Sequence, residues 1–131
     1  MDDKVRAGIR KLRGDYPLYA NKVLRIKPKK GAVTPFRLNK AQSYLHECIQ
    51  DQIRRIGMVR IVVLKGPQQG ISTYTEGRFY WKTSLNKGLQ AFILTHEAEA
   101  TANLFTMTKR YHDLNDVTVG GISLKPTTGN D

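Results

Sequence analysis

The run at residues 58–64, MVRIVVL, passes directly into the glycine-bearing stretch KGPQQGIST, and this junction constrains the chain more than any other feature. Aliphatic and β-branched side chains at consecutive positions leave no polar face, which suits a strand buried on both sides in a parallel sheet. After the loop, residues 72–84 carry Tyr74, Phe79, Tyr80 and Trp81 at helical spacing. A strand, a glycine loop and a helix together aim backbone N–H groups and a helix N-terminus at an anion. In the register of the phosphate-binding pattern, Gly70 takes the second glycine and Ser72 the hydroxyl that ligates Mg²⁺. Lys65 stands where the first glycine would be and Ile71 where the phosphate-reaching lysine would be. The alternative is a plain left-handed turn between a strand and a helix.

The flanking segments extend the pattern. Residues 39–56 place Ala41, Leu45, Cys48, Ile49, Gln52 and Ile56 at three- and four-residue steps, with Gly57 as the stop. Asn39 is the N-cap and Gln42, three residues on, its capping-box partner. Gly88 breaks the helix after the loop, and residues 89–94 form a second apolar run. Thr95 caps a further helix over residues 97–113, and residues 117–124 read as a third strand. Helices alternating with strands predict an α/β fold: a partial P-loop NTPase, with a parallel sheet, right-handed crossovers and flanking helices.

Charge divides the chain unevenly. The net +11 is +9 over residues 1–40 and +2 over the rest. Residues 1–35 are basic, with Val5, Ile9 and Leu12 at helical spacing before Pro17, Pro28, Gly31 and Pro35 punctuate the segment. The expected division is therefore a basic N-terminal arm, 1–35, and a core, 36–131. A basic arm suits a polyanionic partner, nucleic acid first, although a solvated tail has the same composition. One cysteine, Cys48, excludes an internal disulfide. The longest apolar runs, 61–64 and 91–94, are too short to cross a bilayer, and the expectation is a soluble, cytoplasmic chain. His46, His96 and His112 share no metal-binding spacing with Cys48 or an acid.

Three blocks, FRLNKAQ, VRIVVLKGPQQGISTY and GLQAFILTHEAEATANLF, occur in an order that resembles the N-terminal part of the large terminase subunit of tailed bacteriophages. The resemblance runs from about residue 19 onward. In that family the first block resembles an adenine-recognition motif. The second is a deviant Walker A loop of the R-Q-x-G-x-S-T kind, and the third resembles the second strand and coupling helix of the ATPase. The resemblance makes Gln42 the adenine reader and Gln68, Gln69, Gly70, Ile71, Ser72 and Thr73 the phosphate loop, preceded by Gly66. Ser72 is then the Mg²⁺ ligand and Lys65 the nearest cation for a phosphate. Pro67 departs from the family, where arginine is usual, and brings neither charge nor N–H.

What the resemblance implies is a motor fragment: ATP and Mg²⁺ as cofactors, double-stranded DNA as the translocated partner, and the phage portal and small terminase subunit as neighbours. It also implies a ring oligomer for the full-length protein in the bacterial host cytoplasm, with no membrane partner. No apolar run ends in the Asp-Glu pair that hydrolysis requires, and no carboxylate cluster suits a nuclease. The chain therefore reads as a truncated terminase piece that binds ATP without hydrolysing it unaided. A non-catalytic nucleic-acid-binding module with a decayed loop, and a fragment of a helicase-like ATPase, are the alternatives.

Overall fold

Short polar side chains that accept backbone N–H bonds set the first three helix starts in the computed structural model, which describes residues 2–28, 30–64, 70–95 and 97–127. The first helix, α1 (Asp3–Gly14), begins at Asp2, whose carboxylate accepts from the Lys4 N–H at 2.9 Å. α2 (Tyr16–Val23) begins at Asp15, which accepts from the Leu18 N–H at 3.1 Å. Pro17 lies in its first turn, where a missing N–H leaves no helical bond unmade.

α3 (Lys40–Ile56) carries the expected capping box. Asn39 accepts from the Gln42 N–H and Gln42 from the Asn39 N–H, each at 2.8 Å, and Gly57 ends the helix in the left-handed region. α4 (Ile71–Leu85) and α5 (Ala98–Asp113) complete the helices.

The strands differ from expectation. β1 (Arg25–Ile26) pairs antiparallel with β2 (Thr34–Pro35), and β3 (Thr118–Val119) with β4 (Ile122–Ser123) around Gly120 and Gly121, both at positive φ. The fold is thus α/β with two small antiparallel sheets. This overturns the expected P-loop NTPase architecture with its parallel sheet, and with it the Walker A character assigned to the loop. Residues 60–64 and 89–94 form no strand, and the single strand expected over 117–124 is a hairpin. A strand exists only beside a partner, and β-propensity follows packing. No neighbour pairs with either run among the described residues, so Val62, Leu64, Phe92 and Leu94 stand 90%, 96%, 81% and 96% exposed instead of buried. Arg60 is held from outside a sheet: the Gln52 side chain accepts from its N–H at 2.9 Å and donates to its carbonyl at 3.2 Å.

α4 is the hub of the core, touching all four other helices. Tyr16, Tyr19, Ala20, Val23 and Leu24 from and just after α2 are buried against it with Leu12, Tyr74, Tyr80, Trp81 and Tyr111. Buried aromatic polar tips find backbone partners, as they must in a dry interior. The Trp81 indole N–H donates to the Leu12 carbonyl at 2.8 Å, and the Tyr16 hydroxyl to the Tyr74 carbonyl at 2.8 Å. Gly77 permits the closest approach of α2, since a Cβ there would lie 2.5 Å from the Tyr16 hydroxyl. The core therefore draws on residues from both sides of position 35.

Candidate functional site

The start of α4 is positioned by α3 rather than by a preceding strand. Gly70 caps α4 at φ +76 and has no side chain to accept from the first-turn N–H groups. Its carbonyl accepts from the Gln42 side-chain amide at 2.8 Å. Gln42 is only 5% exposed, and both ends of its amide are engaged, one in the capping box and one on Gly70. A Cβ on Gly70 would sit 2.5 Å from that amide nitrogen, so glycine is required here by backbone sign and by space. On the other side, the buried Tyr111 hydroxyl donates to the Thr73 carbonyl at 3.2 Å, tying α5 to the first turn of α4. Desolvation raises the Tyr111 pKa, with Glu76 adding to the shift, so the phenol stays protonated as the donor.

These contacts frame an open pocket of about 480 Å³ between the β1–β2 hairpin, the starts of α3 and α4, and the end of α5. Its wall combines Ile26, Pro28, Phe36 and Met107 with the cations Arg25, Lys27, Arg37 and Arg110, beside Asn39, Gln42, Gly70, Thr73 and Tyr111. No described carboxylate lines it. The cations differ in how they are held. Arg25 donates to the carbonyls of Asn21, Lys22 and Leu24 and so finishes α2, while Arg37 donates to the Asn21 side chain at 3.4 Å. Among the described residues no hydrogen bond or ion pair engages the Lys27 ammonium or the Arg110 guanidinium, which leaves both able to meet a ligand. Apolar walls beside clustered cations favour an anion that carries a flat apolar part.

Of the residues singled out from the sequence, the structure brings Gln42, Gly70 and Thr73 to this pocket. Ile71 lies elsewhere, in the groove between α3 and residues 61–64 with Ala41, Leu45 and Cys48. Ser72 is exposed in the first turn of α4. Lys65, Gly66, Pro67, Gln68, Gln69, His96 and Asp131 lie outside the described residues. Sequence reasoning passed over Lys27, Arg37, Arg110 and Tyr111. Arg37 stood within a block already singled out, whereas Arg110 is one of the basic residues Lys109, Arg110 and His112 at the end of a helix, where cations ordinarily complement the helix dipole.

Glu76, also unremarked in the sequence, is buried on α4 and accepts a hydrogen bond from the Thr108 hydroxyl. Desolvation raises its pKa, partly offset by Thr108. It lines a different recess, with Phe79, Tyr80 and Ile93, so it does not act in the cationic pocket. Among the described residues no group of three or more His, Cys, Asp or Glu side chains could hold a metal ion, and no helix is long and apolar enough to cross a membrane.

No family model matches the chain, and neither a curated protein nor a solved structure matches it.

Proposed function

We propose that the cationic pocket binds a purine nucleoside triphosphate, ATP, and that the chain is the N-terminal part of a DNA-packaging motor of the large terminase kind. The observation that carries the reading is the convergence of four separate stretches, bearing Lys27, then Arg37 with Gln42, then Gly70 with Thr73, then Arg110, on one recess. In this reading the base lies among Ile26, Pro28, Phe36 and Met107, and the phosphates extend toward Arg110 and the first turn of α4. The three ordered sequence blocks support the motor, its translocated double-stranded DNA, and its portal and small-subunit partners. They do so as sequence blocks only, since the described residues do not form the parallel sheet.

The donor set fits a polyphosphate, and with no described carboxylate at the pocket a divalent cation would arrive with the nucleotide. Mg²⁺ would supply charge neutralisation between the phosphates, and Thr73, which lines the pocket where Ser72 does not, is the hydroxyl that would face it. Turnover also needs a water-polarising acid, which no described residue brings to the pocket, so binding without unaided hydrolysis is the expected activity.

Titration of a fluorescent ATP analogue with Mg²⁺ tests this reading on the wild type and on Arg110→Ala and Lys27→Ala variants. Saturable binding that weakens about tenfold or more in each variant is expected, as for loss of one charge-assisted contact of about 1.5–3 kcal/mol. Absence of binding by the wild type would remove the reading.

A further inference from the structure

We propose that the arginine stripe of α1, Arg6, Arg10 and Arg13, is a docking surface for the phosphate backbone of duplex nucleic acid. The three side chains are exposed and, with Ile9, line a shallow recess of about 320 Å³. At 3.6 residues per turn they fall within about 60° of one another around the helix. Lys4 and Lys11 fall together on the opposite flank, so the guanidiniums hold a face of their own, apart from the ammoniums. A planar guanidinium fork meets phosphate oxygens two at a time, which a point-like ammonium does not.

The stripe is not explained by the stability of α1. Like charges three and four residues apart on a helix repel. Arg6 follows Asp2 and Asp3 at four- and three-residue spacing but forms no ion pair with either among the described residues, Arg10 has no acid at such a spacing, and the helix dipole favours only Arg13. The described ion pairs join Asp51 to Arg54 and Arg55, and none reaches α1. A polyanion bridging the three arginines relieves the repulsion, and a backbone that releases counterions on contact gains most.

The apolar face of α1 decides against a membrane. A helix that lies on a lipid surface needs its apolar side to enter the acyl boundary. Here Leu12 is buried and its carbonyl receives the Trp81 indole, Ile9 packs on the core, and Val5 closes on Gly120. That side is occupied by the protein, and the faces of α1 that point out carry Asp3, Ala7 and the cations, with no large apolar side chain among them. α1 also carries no aromatic residue on which an unpaired base could stack, so a duplex backbone suits it better than a single strand. The inference does not depend on nucleotide binding in the pocket.

The test is binding of a labelled 30-base-pair duplex across a salt series, using the triple variant Arg6→Gln, Arg10→Gln, Arg13→Gln. A control of equal charge removal is Lys4→Gln, Lys11→Gln, Lys22→Gln. All six positions are exposed, so circular dichroism is expected to be unchanged. Three lost phosphate contacts should flatten the slope of log affinity against log salt by about 2.7 in the arginine variant, and clearly less in the control. The Arg→Lys triple should keep most of the slope and bind more weakly. Equal loss in the arginine variant and its control, tighter binding to a single strand than to the duplex, or binding to phosphatidylserine vesicles in place of DNA would each overturn the proposal.

Discussion

The side-chain amide of Gln42 donates to the carbonyl of Gly70 at 2.8 Å, so the capping residue of α3 also fixes where α4 begins. A bond between residues 28 positions apart in the chain thereby joins two helix starts. The pocket wall follows from it, because Gln42, Gly70 and Thr73 face the same recess.

That link makes a double-mutant cycle informative. Gly70→Ala is expected to destabilise by about 1–3 kcal/mol, from a strained left-handed residue and a clash with the Gln42 amide. Gln42→Ala, which opens the capping box and leaves the Gly70 carbonyl with the Tyr74 N–H as its one donor among the described residues, should cost about 1–2 kcal/mol. The double variant should cost less than the sum by about 0.5 kcal/mol or more, because removing Gln42 removes the clash. Urea unfolding measures all three, and strict additivity would show the contact to be incidental.

Glu76 gives a pH signature. Its carboxyl is held above the ordinary range by burial, so the folded state binds its proton more tightly than the unfolded state does. Stability from this group is present below the unfolded pKa and is lost as pH rises through the folded value. Glu76→Gln stays neutral and can still accept from Thr108. Its stability relative to wild type should therefore rise between pH 4 and pH 7, read by thermal unfolding in matched buffers. A gap that stays constant with pH would place the carboxylate in water.

Trp81→Phe removes the donor to the Leu12 carbonyl, the bond that fastens α1 to the hub helix. Leaving a buried carbonyl unpaired costs about 1–3 kcal/mol. Amide hydrogen exchange in α1 should accelerate more than in α3, because α1 loses its anchor while the α3 capping box is untouched. Equal acceleration across both helices would indicate a global effect instead.

The exposed runs offer a different readout. Val62 and Leu64 are 90% and 96% exposed, and unpaired apolar edges invite association between molecules. Val62→Lys with Leu64→Lys should leave unfolding stability within about 0.5 kcal/mol while lowering dye binding to apolar surface and slowing aggregation at high concentration. A large loss of stability would mean that these side chains are packed.

The helices of this chain are written in local chemistry, and its sheets are not. Asn39, Gln42 and Gly57 announce α3 because a cap is a contact among near neighbours. α2 carries its own signal, with Tyr16, Tyr19, Ala20 and Val23 on one face, but Pro17 reads as a break unless its place in the first turn is known. The runs at residues 60–64 and 89–94 have the composition of buried strands, yet strand formation depends on a partner that composition does not specify. The site was legible in the same proportion. Gln42 and Gly70 stand in two separate blocks that the sequence singles out, neither of which announces their contact, whereas Arg110 and Lys27 reach the pocket only through the packing of α5 and the β1–β2 hairpin.

Photolabelling with 8-azido-ATP, followed by peptide mapping, tests the central claim most directly. The account expects ATP-competable label on peptides carrying residues 25–42 or 107–111, reduced in Arg110→Ala. Label that ATP does not compete, or that falls on α1 or α3 away from the pocket, would contradict it.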